Sequence, residues 1–157
     1  MLHGVTKWDL RFMALADHIA LWSHDPSSKI GAVIVRPDKT VASVGFNGFA
    51  RGLSDAPELY ADRAFKIATV VHAEQNAILF AREPLHGYTI YTSGLPPCAA
   101  CASVIIQAGI TRVVSYDDPV PERWQENMDW AERNLRQAGV WISRYPRQMQ
   151  EQPCSAA

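Results

Sequence analysis

The sequence has few of the features that are typical of membrane proteins, nucleic-acid-binding proteins or proteins of oxidising compartments. It has three cysteines in 157 residues and a formal net charge of −1 at pH 7, with no block of lysines and arginines. Its longest uncharged run, residues 87–111, contains Gly94, Pro96 and Pro97, so we expect no membrane span there. Without a broad basic surface, affinity through many backbone phosphates is disfavoured. A small-molecule substrate is favoured over a nucleic acid.

The few cysteines also exclude a disulfide framework. Cys98 and Cys101 form a C-x-x-C pair, Cys154 stands alone in a polar segment, and the N-terminal residues have no secretory pattern. We therefore expect a cytoplasmic protein whose thiols bind a metal. The length and a hydrophobic content of 48% fit one domain, which we place at residues 1–147, followed by a flexible tail at 148–157.

Hydrophobic periodicity and turn residues predict the order α-β-β-α-β-α-β-α-β. Helices are expected at residues 9–22, 73–83, 98–108 and 122–137, and strands at 30–36, 40–46, 88–93, 112–116 and 140–145. The first two strands share a tight turn and should be antiparallel, whereas the last three are separated by helices and should be parallel. The prediction is an α/β fold with a mixed five-stranded sheet and helices on both faces. Residues 47–69 are weakly periodic and are expected to form a lid or substrate loop, helical in part at 63–69.

Two short motifs carry the chemistry, His72-Ala73-Glu74 and Pro96-Pro97-Cys98-Ala99-Ala100-Cys101. One imidazole and two thiolates suit zinc, and three protein ligands are typical of a catalytic site with one open position. Zinc lowers the pKa of a bound water from about 15.7 to about 7. Glu74 is close enough to take that proton and pass it to a leaving nitrogen. The sequence predicts one catalytic Zn²⁺ per chain, with His72, Cys98 and Cys101 as ligands and Glu74 as the catalytic residue.

The expected fold brings these motifs together although they are distant in sequence. Cys98 and Cys101 lie three residues apart at a helix start, where they share a face and where the helix dipole favours thiolates. His72 opens the other helix, and both helix starts should lie at the same edge of the sheet. The pair H-x-E and P-C-x-x-C is also the signature of zinc deaminases that act on nucleobases.

Two other readings of the motifs stay open. A structural zinc site would need a fourth ligand, for which the candidates are His3, His18, His24, His86 and Cys154. A redox-active C-x-x-C is the second alternative, but it would leave His72 and Glu74 without a role.

Beyond these motifs, the chain between about Leu10 and Ile142 resembles the cytidine deaminase superfamily, and the deoxycytidylate (dCMP) deaminases in particular. The similar segments are S-H-D-P-S-S-K-I-G-A at 23–32, G-F-N-G at 45–48, H-A-E-Q-N-A-I at 72–78 and I-I-Q-A-G-I at 105–110. The resemblance implies a three-layer α-β-α cytidine deaminase-like fold and deamination of dCMP to dUMP. It also implies a homo-oligomer, from dimer to hexamer, and regulation by nucleotide triphosphates in many members. Phe49-Ala50 and Leu53-Ser54-Asp55 depart from the family's M-P and C-S-D.

The resemblance also suggests which residues bind the substrate. Asn47 is expected to contact the sugar or base of the nucleotide, and the carbonyl following Thr92 or Ser93 to accept from the exocyclic amine. Ala73, inside the H-A-E motif, is expected beside the substrate. Asn47 also suits a turn after a strand, which is the alternative reading of that residue.

A nucleotide monophosphate needs a cation, and Lys29 and Arg51 are the candidates. Ser23 is a further candidate for a ligand contact. The alternatives are ordinary ones: solvated loop charges for the two cations and a helix-end or loop cap for Ser23.

Three classes of function remain at this point. The first is a zinc-dependent hydrolytic deaminase of a cytosine nucleotide, dCMP above all. The second keeps the chemistry but acts on a free base or nucleoside (cytosine, guanine, a modified pyrimidine) or on a tRNA adenosine, which the charge balance disfavours. The third is a non-catalytic nucleotide-binding homologue, against which Glu74 argues.

Overall fold

Five strands form one sheet flanked by six helices in residues 5–147, the part of the chain that the computed structural model describes. The helices are α1 (Lys7–Ala20), α2 (Pro57–Ala61), α3 (Arg63–Thr69), α4 (Ala73–Leu79), α5 (Ala99–Gln107) and α6 (Glu122–Gln137). The strands are β1 (Gly31–Val35), β2 (Val41–Phe46), β3 (Thr89–Thr92), β4 (Arg112–Tyr116) and β5 (Trp141–Tyr145). None of the described helices is long and apolar enough to cross a membrane. The predicted tail, residues 148–157, lies outside the described residues.

The strand directions place the starts of α4 and α5 at one edge of the sheet. The strand order is β2-β1-β3-β4-β5. Strand β1 is antiparallel to both β2 and β3, whereas β3, β4 and β5 are parallel. Because β1 reverses direction against both neighbours, β2 runs the same way as β3, β4 and β5. The carboxyl ends of these four strands therefore share one edge, and the predicted mixed sheet is confirmed.

Each face of the sheet has its own apolar core. One face packs against α1, where Phe12, Met13 and Ala16 meet Val33 and Tyr91. The other face packs against α4, α5 and α6; the buried residues there include Ala32, Ile34, Ala77, Ile90, Ile105, Val113 and Leu135. Alternation along the strands sends successive side chains to opposite faces. The prediction of helices on both faces is confirmed.

The helix that carries His72 lies unusually close to β2. A Cβ atom on Gly45 would stand 2.4 Å from the backbone oxygen of Ala73 and 2.4 Å from the backbone nitrogen of Ala77. A side chain at this position would push α4 away, because the atoms that it meets are backbone. Gly45 thus fixes the separation between β2 and α4.

Two local details differ from the prediction. Helix α4 ends at Leu79, not at residue 83, because the chain turns so that Leu85 enters the core and Glu83 meets the Arg36 guanidinium at 2.6 Å. The short helix α2 was not predicted. Helix α2 begins with Pro57, and its single buried residue is Tyr60. Its sequence therefore has too little apolar periodicity to predict a helix. The helix expected at 63–69 is present as α3.

A buried carboxylate joins α1 to the sheet. Asp9 is 1% exposed and accepts hydrogen bonds from Arg112 and the Tyr91 hydroxyl, each at 2.8 Å. It also accepts from the Thr6 amide and hydroxyl, while the Thr6 oxygen accepts from the Asp9 amide and caps the helix. Burial opposes ionisation, but these four donors lower the pKa of Asp9 from 3.8 to about 2. The carboxylate is therefore charged in the folded protein.

We expect Asp9→Asn to lower the free energy of unfolding at pH 7 by about 3 kcal/mol, because it leaves the partly buried Arg112 without a counter-charge. A carboxylate with a lowered pKa stabilises the fold above its unfolded-state pKa and loses this contribution as the pH falls. The wild-type protein should therefore lose about 2 kcal/mol between about pH 4 and pH 2 in excess of the variant. Urea unfolding at several pH values measures both quantities.

Asp117→Asn, at an exposed aspartate after β4, is the control and should change stability by less than about 0.5 kcal/mol. Equal acid sensitivity in Asp9→Asn and the wild type would contradict the proposed role of Asp9.

Candidate functional site

Two helix starts bring together three side chains of the types that bind metals. His72 is the residue immediately before α4, Cys98 stands immediately before α5, and Cys101 lies in the first turn of α5. The Nδ1 atom of His72 is 3.5 Å from the Cys98 sulfur and 3.3 Å from the Cys101 sulfur. The His72 backbone amide donates to the Gln75 side chain at 3.0 Å, which helps to fix the start of α4.

The separations between these atoms fit a zinc ion. All three ligand atoms lie within 4.8 Å of one another. With zinc–sulfur and zinc–nitrogen bonds of about 2.3 and 2.0–2.1 Å, two ligands of a tetrahedral ion lie about 3.6–3.8 Å apart. The observed spacings are close to these values, and both thiols are free. One imidazole and two thiols are also the donor types that zinc prefers.

No fourth histidine, cysteine or carboxylate joins this group within residues 5–147. Of the candidates for a structural site, His24 pairs with Asp55 at 3.0 Å and His86 lies against Gly109. His3 and Cys154 lie outside the described residues. Three donors are the number found in catalytic zinc sites.

The two thiols are electrostatically different. The Cys101 thiol and the His72 ring lower the pKa of Cys98 to about 4, against the opposing effect of burial. The same contact with Cys98, together with burial, raises the pKa of Cys101. Cys98 is thus held as a thiolate, the form that binds metals.

Glu74 lies beside the three ligands, as its position two residues after His72 requires. Its residue exposure is 5%, and burial raises the pKa of its carboxyl group. A buried carboxyl group whose pKa is raised is the type of group that general acid–base catalysis uses.

A cavity of about 390 Å³ opens onto His72, Glu74 and Cys98. Its other lining residues come from the segment after α1, from the residue after β2, from α3 and the residue after it, from the first residue of α4, from the loop before α5 and from the first turns of α6; they are Asp25, Ser27, Ser28, Ile30, Asn47, Arg63, Lys66, Ile67, Val70, Ala73, Leu95, Pro96, Arg123, Trp124 and Met128. The volume is in the range of small-molecule sites. Most of the cavity surface is apolar, and five of the lining side chains are charged.

The structure shows what the predicted substrate-binding residues contact. The Asn47 side chain lines the cavity, but its oxygen accepts from the Ile30 amide at 2.8 Å and its nitrogen donates to the Ser28 carbonyl at 2.7 Å. Ser23 donates to the Asn47 carbonyl at 2.8 Å, and Ser93 accepts from the Gly31 amide at 2.8 Å. These side chains hold the loops around the cavity to each other.

The remaining predicted contacts divide into two groups. Ala73 is buried and lines the cavity. Lys29 and Arg51 are exposed and do not line it; Lys29 donates to the Ser23 carbonyl, and Arg51 stacks on the Phe80 ring with its guanidinium carbon 5.2 Å from the ring centre.

Sequence reasoning missed the cations that do line the cavity. They are Arg63, Lys66 and Arg123. Arg63 and Lys66 belong to a stretch with no recognisable family motif, so no signal was available for them. For Arg123 a sequence signal was available, because it lies in the first turn of the helix that follows β4. Helices that follow parallel strands begin at the ligand-binding edge of a sheet.

Comparisons with known proteins agree with the geometry of the site. Residues 6–117 match the family model of the cytidine and deoxycytidylate deaminase zinc-binding region. An uncharacterized deaminase in the luxG 3′ region of Aliivibrio fischeri is 39% identical over 144 residues, covering 90% of this chain and 96% of that protein. The deoxycytidylate deaminase of Mus musculus is 38% identical over 118 residues, covering 71% of this chain and 66% of its own length.

A solved structure shares the fold. The dCMP deaminase of cyanophage S-TIM5, crystallised with dCMP and dUMP, has a TM-score of 0.67 to this chain, with 24% identity over 90% of this chain and 99% of that one. This structural similarity confirms the predicted cytidine deaminase-like fold, and the family match and the similar relatives confirm the family resemblance. The chain belongs to the family of the cytidine and deoxycytidylate deaminase zinc-binding region, and it is a deaminase, a hydrolase that acts on C–N bonds.

Proposed function

We propose that the protein is a zinc-dependent hydrolase that converts a cytosine nucleotide, dCMP in particular, to the uracil nucleotide and ammonia. The observation that carries this proposal is the buried Glu74 beside a convergent set of three zinc-type donors, at the end of a cavity with apolar walls. The similarity to deoxycytidylate deaminases supports dCMP as the substrate.

The roles of the residues follow from their positions. His72, Cys98 and Cys101 would hold the zinc ion, which supplies Lewis acidity that makes water a nucleophile near neutral pH. Glu74 takes a proton from the attacking water and delivers it to the departing amino nitrogen, so that water is consumed and ammonia leaves. The pyrimidine carbon loses its bond to nitrogen and gains a carbonyl oxygen, with no change in oxidation state.

The cavity walls would orient the base. Ile67, Val70, Leu95, Trp124 and Met128 line it, and they are suited to the faces of a flat ring. Water is displaced from these surfaces when a base binds, which strengthens every electrostatic contact at the inner end of the cavity. Ala73, which has the smallest side chain among the lining residues, leaves room beside Glu74.

Two further properties belong to the same proposal. We infer a cytoplasmic location, since two free thiols that bind metal require a reducing compartment. We also infer a homo-oligomer, as the family resemblance implies.

Substrate identity is tested by measuring ammonia release from dCMP, dCTP, deoxycytidine and cytosine with zinc-loaded protein. We expect the highest kcat/KM with dCMP and no release after the zinc has been removed by a chelator. Guanine and a tRNA substrate serve as controls for the same chemistry on other rings. A kcat/KM for free cytosine or deoxycytidine above that for dCMP would overturn the assignment to a nucleotide.

Replacing Glu74 by glutamine keeps the shape of the side chain and removes its ability to exchange a proton. We expect kcat for dCMP to fall by about 100- to 10,000-fold, while zinc content, measured by inductively coupled plasma mass spectrometry, stays at the wild-type level. Glu126→Gln, at an exposed position of α6, should leave both values unchanged. Turnover by Glu74→Gln at the wild-type rate would rule out this proton path.

The metal assignment is tested separately with Cys98→Ala. Loss of one of three ligands should reduce zinc from about one ion per chain to nearly none and lower the melting temperature, because zinc bound to the folded state contributes to its stability. Ser103→Ala, on an exposed face of α5, is the matched control and should retain the metal. Full zinc content in Cys98→Ala would show that the ion is held elsewhere.

A further inference from the structure

The charges around the cavity do not cancel one another. Five charged side chains line it: Asp25, Arg63, Lys66, Glu74 and Arg123. Glu74 is buried at the inner end among the metal-binding residues. The other four are three cations and a single carboxylate. Apart from Glu74, the lining therefore carries a net positive charge, which favours an anion.

Lys66 is already neutralised. Its ammonium lies 2.7 Å from one oxygen of Asp25 and 2.9 Å from the other, and it donates to the Ser27 hydroxyl at 2.7 Å. Asp25 is fully buried, and it also accepts from the Ser27 and Ser28 amides. This ion pair fastens α3 to the loop after α1, and it leaves Lys66 little capacity for another anion.

Arg63 and Arg123 have no such partner. Within residues 5–147, neither guanidinium makes an ion pair or a side-chain hydrogen bond, and both are exposed at the cavity lining. They stand on different elements: Arg63 opens α3, and Arg123 lies in the first turn of α6. Two positive charges thus line the same cavity from separate helices.

Each arginine lies about one helical turn from a residue that is anchored to another element. Arg63 precedes the anchored Lys66 by three residues, so the two side chains share a face of α3. Arg123 precedes Asn127 by four residues, and the Asn127 oxygen accepts from the Ala99 amide at 2.9 Å, which ties α6 to the start of the α5 helix that follows Cys98. Helix α6 is therefore fixed to the start of α5, beside Cys98, and α3 is fixed to the loop after α1.

We propose that Arg63 and Arg123 form a phosphate clamp that holds the 5′-phosphate of the nucleotide substrate between α3 and α6. The inference rests on the proposed function and specifies how the enzyme distinguishes a nucleotide from a nucleoside. A phosphate monoester carries a charge of about −1.5 to −2 at pH 7, which matches two guanidinium groups. Guanidinium groups bind phosphate oxygens through paired N–H donors. A nucleoside or a free base would leave both arginines without a partner.

The test measures binding to zinc-loaded protein by titration calorimetry, so that it does not depend on turnover. The probes are dUMP, deoxyuridine and 2-deoxyribose 5-phosphate, the last of which has a phosphate but no base. Arg63→Gln and Arg123→Gln should each weaken dUMP binding by about 10- to 100-fold, and 2-deoxyribose 5-phosphate binding by a similar factor. Deoxyuridine affinity should stay at the wild-type value.

Two sets of variants guard against an indirect effect. Arg133→Gln removes an exposed arginine of α6 that does not line the cavity, and it should bind dUMP like the wild type. Arg63→Lys and Arg123→Lys keep the charge but lose the paired donors, and they should recover part of the lost affinity. Melting temperatures within a few degrees of the wild type show that the variants are folded.

Several results would overturn the clamp. These are unchanged dUMP affinity in both glutamine variants, an equal loss of deoxyuridine affinity, or a loss that appears only in Lys29→Gln or Arg51→Gln. The experiments can refute the clamp and the proposed function independently of each other. Protein that releases no ammonia from any cytosine compound, but whose 2-deoxyribose 5-phosphate binding still needs both arginines, supports the clamp and refutes the deaminase substrate. Deamination of dCMP with arginine-independent binding does the reverse.

Discussion

The convergence of His72, Cys98 and Cys101 on one small volume is the constraint on which the rest of the site depends. It needs two helices to begin at the same edge of the sheet, and the antiparallel β1 makes this possible by letting β2 and β3 run in the same direction. It also needs α4 to lie directly on β2, which the missing side chain of Gly45 permits. Strand direction and one close backbone contact therefore position the three donors within 4.8 Å of one another.

The charged groups of the cavity fall into three electrostatic states, and each suits a different task. Glu74 is buried beside the donors, where desolvation raises the pKa of its carboxyl group. Asp25 and Lys66 neutralise each other and connect α3 to the loop after α1. Arg63 and Arg123 remain exposed and unpaired within the described residues. One cavity is thus lined by a buried acid, a neutral ion pair and two cations that have no partner within residues 5–147.

Much of the fold could be predicted because its signals are local. Alternating β-branched residues, Pro37 in the first turn and helix-ending glycines such as Gly109 mark the strands and helices within a few residues. The end of α4 could not be predicted, because a salt bridge from Arg36 and the burial of Leu85 set it. The roles of Asn47, Ser23 and Ser93 were read from a resemblance, whereas the structure shows their polar atoms bonded to neighbouring loops.

The sequence by itself determined that an imidazole, two thiols and a carboxylate lie at two helix starts, since these groups are fixed by the motifs H-x-E and P-C-x-x-C. It also determined the sheet, through the alternation of strands and helices. Only the tertiary structure decided which cations meet the cavity. Arg63 and Lys66 lie on α3, whereas Arg123 lies on α6, far along the chain, and whether each charge is neutralised depends on neighbours that folding supplies. Chemical identity is a property of single residues, but an unpaired charge is a property of their arrangement in space.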